Sequence, residues 1–372
     1  MSMIGVYGGS FDVPTTGHSQ IIKKACSIFD KLYVVIGTNS SKKPSFPVAD
    51  RIEMLRDTIL EIHSIERDKV TILTLPENMY LADFAMTKKA NFLVRGIRDS
   101  MDFHYENQIY HTNKLIAPIE TIYLMPDEAF SLVSSSWVKS LIGQRSWRKV
   151  VGKYVSTLTL KYLVTQYAER RFRSFVEKNA NLFRDLCPAK VDSIWKTMLE
   201  MNKNEYHNLN HVISCLETMD SLLPNNKAAE LAFWFHDVYP EVDRCINFAS
   251  SILYGLTDDF KDTKDMVKTL INATKHDTCK YTTEMESMVA SIDLMVLASN
   301  AVEYGEYRFN VYMEYFKKSG LPESEFQPKW IEGRSKFIKQ MLAREKIFTY
   351  SPFYDRFESV ARENLTHELH SI

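Results

Sequence analysis

The sequence has little of the features that mark specialised classes of protein. Its five cysteines form no CxxC pair, which excludes a zinc knuckle and predicts reduced, mostly buried thiols. Basic and acidic residues almost cancel, 46 against 47, so no overall field favours nucleic acid or an anionic membrane surface. Any phosphate binding must therefore depend on local groups, and we expect no nucleic acid and no membrane among the partners.

Long apolar runs are absent as well. No stretch approaches the roughly 18 residues of a membrane span, and the N-terminus enters a strand pattern directly instead of a signal peptide. Together with the scattered cysteines, this predicts a cytoplasmic protein. A length of 372 residues fits two domains with separate cores. We predict a first domain over residues 1–165, a helical linker over 166–184 and a second domain over 185–372.

A glycine-rich turn near the N-terminus is the strongest local signal. The apolar run Met3–Tyr7 predicts a buried strand, and apolar residues at helical spacing follow over residues 21–29. The pair Gly8-Gly9 between them lets backbone N–H groups approach a ligand, and the N-terminus of the next helix favours an anion. The turn therefore predicts a phosphate site with His18 beside the anion. A plain strand-to-helix turn is the alternative.

Strand and helix patterns alternate through the first 160 residues. This alternation predicts a doubly wound, parallel five-stranded α/β sheet, in which ligands bind at the carboxyl ends of the strands. Polar residues suited to phosphate oxygens follow several strand ends. They are Lys42, Arg95, Arg98, and the helix-start serines Ser134, Ser135 and Ser136. Taken singly, each of these residues is explained equally well if it is a solvated side chain or a helix cap.

Five ordered segments resemble phosphopantetheine adenylyltransferases, which belong to the nucleotidyltransferase superfamily with a T/HxGH signature. The segments are Gly8–His18, Ser41–Pro44, Arg95–Arg98, Asp102–Glu106 and Ser134–Lys139. The resemblance covers roughly residues 1–160 and implies a Rossmann-like fold. The signature is the tetrad Thr15-Thr16-Gly17-His18 in this chain. Threonine at its first position is typical of that family, whereas Gly8–Ser10 is nearer to the nicotinate-nucleotide branch. Ser10 and Val13 stand where the family usually has threonine and proline, and Ser10 keeps the hydroxyl.

The resemblance also implies roles for individual residues. It gives His18 the stabilisation of charge on the α-phosphate of ATP, with help from Lys42. The implied ATP contacts are Gly9, Ser10, Phe11, Gly17, His18, Arg98, Glu106 and Ser134–Ser136. The implied contacts to a small phosphorylated acceptor are Ser10, Lys42 and Arg95. Mg²⁺ carried with ATP and a homo-oligomeric assembly are implied too. Transfer of AMP to nicotinamide or nicotinate mononucleotide, in place of 4′-phosphopantetheine, is the alternative.

The second half has a different pattern. Glycine and proline become sparse beyond residue 185, and successive amphipathic segments predict an all-α domain. Histidine and aspartate recur within it, at His207, His211, His236, Asp237, His276 and Asp293. Imidazole and carboxylate are ligands for divalent ions, and a carboxylate inside an apolar helical core needs a partner. Unrelated core and surface histidines are the alternative.

This order of residues resembles the HD-domain metal-dependent phosphohydrolases over about residues 185–370. The implied ligands of a divalent transition metal, such as Mn²⁺ or Fe²⁺, are His211, His236, Asp237 and Asp293. His207 and His276 are implied as second-metal ligands or substrate contacts. More narrowly, the sequence resembles a bacterial branch of that family. That branch usually has Asn-Glu about ten residues beyond the His-Asp pair, which is His236-Asp237 here, whereas this chain has Asn247-Phe248. The sequence thus predicts a bifunctional enzyme with a hydrolase of unknown substrate, or a transferase joined to a non-catalytic sensing or assembly module.

Overall fold

The computed structural model describes residues 2–37, 43–62, 65–183, 186–253, 261–276 and 280–372. The chain divides into two compact units, Met1–Tyr167 and Ala168–Ile372. The division falls inside one helix, α7, which runs from Thr157 to Lys178. Each unit has its own secondary structure and its own core, and each is described separately below.

The first unit is built on a five-stranded parallel sheet. Its strands are β1 (Ile4–Gly9), β2 (Lys31–Ile36), β3 (Val70–Thr74), β4 (Phe92–Gly96) and β5 (Glu120–Leu124). They are arranged in the order β3-β2-β1-β4-β5, and every pair is parallel. This confirms the α/β prediction, including the number of strands.

Helices pack on both faces of this sheet. The helices that precede α7 in the chain are α1 (Thr16–Ile28), α2 (Val48–Leu60), α3 (Leu81–Thr87), α4 (Ser100–Ile116), α5 (Ser135–Leu141) and α6 (Trp147–Val151). Neighbouring residues of a strand point to opposite faces. Val34 accordingly joins the apolar cluster with α1 and α2, whereas Val35 joins the cluster with α3. Packing on both faces explains why these strands read as continuous apolar runs.

One edge of the sheet carries the polar segments. Strand β1 ends in Gly8-Gly9 and strand β4 ends in Arg95-Gly96, so both ends lie at the carboxyl edge. Helix α1 begins beside them, and Gly17 in its first turn is buried. A Cβ atom on Gly17 would lie 3.0 Å from the carbonyl oxygen of Val133. Glycine at this position therefore lets helix α1 approach the segment that leads into α5.

The second unit is helical in its described residues. Its helices are α8 (Pro188–Met201), α9 (Leu209–Leu222), α10 (Lys227–Phe235), α11 (Val242–Ile252), α12 (Lys261–Ala273), α13 (Glu284–Asp293), α14 (Ala301–Ser319), α15 (Glu323–Leu342) and α16 (Ser351–Ser371). Residues 231–235 of α10 are all fully buried, which makes α10 the central helix of the core. The helical class is confirmed, and the HD type stays a prediction.

Among the helices that the structure describes, none alone has both the length and the apolar composition of a membrane span. The segments Glu284–Ala298 and Ala301–Ser319 have them together, as a pair bent by 105°.

The Asp12 carboxylate connects the glycine-rich turn with the segment Ser45–Phe46 and with α5. Asp12 accepts hydrogen bonds from the backbone N–H groups of Ser45 and Phe46 and from Lys139 Nζ, at 2.8–3.1 Å. Replacing Asp12 by alanine should lower the local opening free energy at Ser45–Phe46 by about 1–3 kcal/mol, because both N–H groups lose a charged acceptor. Amide hydrogen exchange of this segment should then be about 5 to 160 times faster.

The matched control is Asp30→Ala, since Asp30 accepts a hydrogen bond from a different backbone group, Met3 N–H. It should leave exchange at Ser45–Phe46 unchanged. Burial alone would raise the pKa of Asp12, but Lys139 and the two N–H groups hold it below its ordinary value. Its stabilisation should therefore be fully present above about pH 4 and be lost only on further acidification. Equal exchange rates at Ser45–Phe46 in Asp12→Ala and in the parent would contradict the stabilisation assigned to Asp12.

Candidate functional site

Two cavities meet at the carboxyl edge of the sheet. The first has a volume of about 390 Å³ and the second about 720 Å³. Among the described residues, both cavities are lined by Gly8, Gly9, Ser10, Arg95, Ser135 and Ser136. Only the first is also lined by Gly17, His18, Arg98, Glu106 and Ser134. The arrangement can hold two ligands whose reacting ends meet at Ser10 and Arg95.

The His18 ring lies in the first cavity with a defined orientation. Its Nδ1 accepts a hydrogen bond from the backbone N–H of Thr15, at 3.0 Å, and lies 2.9 Å from Thr15 Oγ1. A nitrogen that accepts from an N–H carries no proton, so the proton of the neutral ring is on Nε2. His18 therefore presents a donor to any anion in the cavity. Phe11 packs against the ring, with centroids 5.1 Å apart.

The pKa of His18 is low. Burial, with the positive charge of Arg98 as a second cause, lowers it to about 4. The ordinary pKa of histidine is about 6.5. The lowered value keeps the His18 ring neutral throughout the physiological pH range. A neutral imidazole with a proton on Nε2 donates a hydrogen bond without adding a full charge.

Both arginines of the Arg95–Arg98 segment are paired with carboxylates of α4. Arg95 forms a bidentate ion pair with Glu106 and donates to the carbonyl oxygen of Gly8, at 2.5–2.6 Å. Arg98 is held in the same way by Asp102, with contacts of 2.7 and 3.0 Å. The two guanidiniums are thereby fixed at the cavity wall. Burial alone would lower the pKa of Arg95, but Glu106 raises it above its ordinary value, and the hydrogen bond to Asp102 likewise raises the pKa of Arg98. Each remains a permanent cation beside the ligand space.

The three serines at the start of α5 have different functions. Ser134 caps the helix, because its Oγ accepts from the backbone N–H of Trp137 at 3.0 Å. Ser135 donates to the carbonyl oxygen of Val13 at 2.6 Å and so ties α5 to the glycine-rich turn. All three line the first cavity. Part of the serine signal is therefore structural capping.

The remaining predicted residues of this site are placed as follows. Gly9 and Ser10 line both cavities, whereas the Phe11 side chain is buried to 1 % exposure in the core behind His18. Lys42 lies outside the described residues. The sequence did not single out Asp12, which contacts Lys139 and lines the second cavity together with it. The sequence signal that could have identified Asp12 is its position in the glycine-rich turn, two residues after Ser10.

The second unit contains a cavity of about 640 Å³ with a cluster of ionisable groups. Its described lining includes all six predicted residues, namely His207, His211, His236, Asp237, His276 and Asp293. The Nε2 atoms of His211 and His236 lie 3.3 Å apart. Asp237 Oδ2 is 3.4 and 3.2 Å from these two nitrogens, and Asp293 Oδ1 is 2.9 and 3.4 Å from them. Four predicted ligand atoms therefore converge on one point.

The donor set and its spacing fit a divalent transition metal. Bonds of about 2.0–2.1 Å to nitrogen and oxygen place neighbouring ligands about 2.9–3.4 Å apart, for angles between octahedral and tetrahedral. The observed distances of 2.9–3.4 Å lie in this range. His236 Nδ1 donates to the carbonyl oxygen of Phe233 at 3.0 Å, which leaves the Nε2 lone pair for the cluster. Asp237 Oδ2 is buried, and its contacts to the two imidazoles do not have hydrogen-bond geometry. Within the described part of the chain no other group donates to it, as expected of a metal-facing oxygen.

Charge and capping hold the cluster together. Burial alone would raise the pKa of Asp237, but the positive charge that the His236 and His207 rings carry when protonated lowers it to about 2. A metal ion bound at His236 Nε2 would take the place of that proton. The carboxylate is therefore ionised at neutral pH and available to a cation. His211 is positioned by the start of α9, where the Asn208 side chain accepts from the backbone N–H groups of Asn210 and His211.

His207 and His276 occupy the border of the cluster. His207 Nδ1 donates to Glu314 Oε1 at 3.0 Å, and Glu314 also accepts from the backbone N–H of His207. His276 Nε2 lies 2.9 Å from Asp293 Oδ2. Burial would lower the pKa of His207, but Asp237 and Glu314 raise it above its ordinary value. No sequence pattern pairs Glu314 with His207, because the two residues are 107 positions apart.

Comparisons with known proteins concern the first unit. The profile of the cytidylyltransferase-like family matches residues 6–141. The chain is 37 % identical over 163 residues to phosphopantetheine adenylyltransferase of Neisseria meningitidis serogroup C, which covers 44 % of this chain and 92 % of that protein. It is 35 % identical over 166 residues to phosphopantetheine adenylyltransferase of Chromobacterium violaceum, with 44 % of this chain and 98 % of that protein covered.

Solved structures that match part of this chain include Plasmodium falciparum nicotinic acid mononucleotide adenylyltransferase complexed with NaAD. It is 18 % identical, with a TM-score of 0.36, and the match covers 44 % of this chain and 95 % of that one. The lipopolysaccharide core biosynthesis protein from Thermoplasma volcanium is 19 % identical, with a TM-score of 0.27 and coverage of 34 % and 100 %.

The curated relatives are matched along nearly their whole length, and the residues that line the two cavities of the first unit fall within or close to the family match. The first unit is accordingly a nucleotidyltransferase. Through this unit, the chain belongs to the phosphopantetheine adenylyltransferase family.

Proposed function

We propose that the first unit transfers AMP from Mg-ATP to 4′-phosphopantetheine, giving dephospho-coenzyme A and pyrophosphate. The observation that carries the proposal is the neutral His18 ring, whose Nε2–H faces the first cavity beside the Ser10 and Arg95 wall of the second. In this assignment the triphosphate occupies the first cavity and the acceptor occupies the second. The 37 % identity to a phosphopantetheine adenylyltransferase supports it.

The reaction needs alignment more than activation. An oxygen of the acceptor's phosphate attacks the α-phosphorus of ATP, the bond from that phosphorus to the β-bridging oxygen breaks, and pyrophosphate leaves. A phosphate monoester is already ionised at neutral pH, so no general base is required. The His18 Nε2–H donates to an α-phosphate oxygen as charge develops there. Arg95 and Arg98 neutralise the phosphates at the cavity wall.

Mg²⁺ would be held mainly by phosphate oxygens of the nucleotide. Among the described residues, the carboxylates that line the first cavity are those of Asp102 and Glu106. Each is engaged with an arginine through both oxygens. When bound with ATP, the ion supplies additional neutralisation of phosphate charge. Glu106 therefore acts by fixing Arg95 in this proposal, instead of binding the metal directly.

The second cavity supports phosphopantetheine as the acceptor. Its apolar lining consists of aliphatic side chains, among them Val35, Leu75 and Leu81, and none of the described lining residues is aromatic. Aliphatic walls suit a flexible pantetheine arm, whereas a nicotinamide or nicotinate ring gains most from stacking on an aromatic side chain. Nicotinamide or nicotinate mononucleotide remains the second candidate acceptor, because of Gly8–Ser10.

We also propose that the second unit is an HD-type metal-dependent phosphohydrolase. His211, His236, Asp237 and Asp293 would hold the ion. The observation that carries this proposal is that both carboxylates lie within 3.4 Å of the two imidazole nitrogens, which are 3.3 Å apart. When bound, the metal supplies Lewis-acid activation of a phosphate ester toward water. His207 would contact the substrate phosphate, because Glu314 fixes its Nδ1 while the ring lines the cavity.

A non-catalytic sensing or assembly module is the alternative for this unit, and Asn247-Phe248 motivates it. Asn247 is exposed on α11, and Phe248 packs against the rings of Phe235 and Tyr239, at 5.5 and 5.8 Å. Neither residue is among the described lining of the cavity. The proposed site therefore holds a single metal ion, without the glutamate that the similar HD-domain branch usually has at the position of Phe248.

The acceptor is tested by incubating the full chain with Mg-ATP and each candidate in turn. Release of pyrophosphate with 4′-phosphopantetheine should exceed that with nicotinamide or nicotinate mononucleotide by about 100-fold or more in kcat/KM. The physical reason is the aliphatic wall of the second cavity. Pyrophosphate release with a mononucleotide but not with phosphopantetheine would replace this proposal by its alternative.

The function of His18 is tested by His18→Ala, with the exposed His104→Ala as the control. The first variant should lose about 10²–10³-fold in kcat, because a donor to the transition state is removed, and the control should retain parent activity. Imidazole NMR of the free enzyme should identify the Nε2–H tautomer at His18, without titration between pH 5.5 and 8. A His18 signal that titrates near pH 6.5 would be inconsistent with the assignment.

The metal site is tested by His236→Ala, with the exposed His367→Ala as the control. The parent and the control should contain about one transition-metal ion per chain by elemental analysis, and His236→Ala should contain about a tenth of that or less. Hydrolysis of a general phosphate ester such as p-nitrophenyl phosphate should disappear with the metal. Metal retained by His236→Ala speaks against the site, and a metal-loaded parent without hydrolase activity favours the non-catalytic alternative.

A further inference from the structure

Cys215 lies beside the cluster of the second unit and has no function in the proposal above. It follows His211 by four residues on α9, so both side chains lie on the same face of the helix. Its Sγ is 3.7 Å from His211 Nε2, and the residue is 3 % exposed. The donor atoms of His211, Cys215, His236 and Asp293 all lie within 4.8 Å of one another.

The spacing of sulfur and nitrogen matches that of two ligands on one ion. Bonds of about 2.3 Å to sulfur and about 2.0–2.1 Å to nitrogen, at a tetrahedral angle, put the two donor atoms about 3.6 Å apart. Two nitrogens on the same ion would be about 3.3 Å apart. The observed distances are 3.7 Å for Cys215 Sγ to His211 Nε2 and 3.3 Å for His211 Nε2 to His236 Nε2.

We infer that the Cys215 thiolate is a ligand of the metal in the second unit, together with His211, His236 and Asp293. The inference rests on the proposed metal site and specifies which ions it prefers. Two imidazoles and carboxylates alone suit Mn²⁺ or Mg²⁺ as well as softer ions. A thiolate shifts the preference to Zn²⁺, Fe²⁺ or Co²⁺, because soft sulfur binds these ions more strongly than it binds Mn²⁺ or Mg²⁺. Asp237 is then the fifth group around the ion.

Cobalt replacement gives a readout that is independent of activity. The full chain is treated with a chelator and reconstituted with one equivalent of Co²⁺. A thiolate ligand produces a sulfur-to-cobalt charge-transfer band in the near ultraviolet, in addition to the weaker visible bands of bound Co²⁺. The parent should show this band, and Cys215→Ser should lose it. The matched control is Cys245→Ser, because Cys245 is also fully buried in this unit and its Sγ contacts the backbone of Tyr239.

Affinity gives the second measurement. Cys215→Ser should weaken Zn²⁺ binding by about 100-fold or more, while Mn²⁺ binding changes by less than about threefold. Circular dichroism checks that the variants are folded. If Cys215→Ser does not fold, X-ray absorption of the zinc-loaded parent gives the answer without a variant, since a thiolate ligand adds a sulfur at about 2.3 Å.

The outcomes separate this inference from the proposal on which it depends. Visible cobalt bands without a charge-transfer band, or a zinc spectrum without sulfur, would overturn the thiolate ligand and leave the metal site in place. Failure of the parent to bind any cobalt or zinc would overturn the metal site and the inference with it. A charge-transfer band that persists in Cys215→Ser but disappears in Cys245→Ser would identify Cys245 as the thiolate ligand. That result would also overturn the inference.

Discussion

The chemistry available to each unit depends on what the main chain presents to Nδ1 of one histidine. At His18 the backbone N–H of Thr15 donates to Nδ1, which places the proton on Nε2. At His236 the carbonyl oxygen of Phe233 accepts from Nδ1, which leaves a lone pair on Nε2. The first ring can therefore donate to an anion, and the second can bind a cation. One residue type thus serves opposite electrostatic purposes without any change in side-chain chemistry.

Much of the first unit is predictable because its signals are local. Apolar runs of strand length separated by helical periods predict five parallel strands, and parallel strands bring the residues after each strand to one edge. The contacts between those residues are not local. Asp12 meets the Ser45 N–H across 33 positions and Lys139 across 127 positions, and no periodic pattern encodes such a pairing. Sequence patterns also do not distinguish Phe11, whose side chain faces the core, from its neighbour Ser10, which lines the cavities.

The second unit shows the same division between local and distant information. Histidine and aspartate were predicted to gather in an apolar helical core, and they line one cavity. Glu314, which orients His207, comes from a helix far along the chain and could not be paired with it in advance. Cys215 is different, because its four-residue spacing from His211 places both on one helical face. The sequence itself therefore contains the signal that brings this thiol to the histidine and aspartate cluster.

The shared wall of the two cavities in the first unit has a stereochemical consequence. Ser10 and Arg95 border both ligand spaces, so the two substrates can be bound at the same time with their reacting groups adjacent. On the proposed function, the acceptor oxygen enters opposite the departing pyrophosphate in a single displacement. A chiral α-phosphorus would leave such a reaction with its configuration inverted, because no second displacement on the protein restores it.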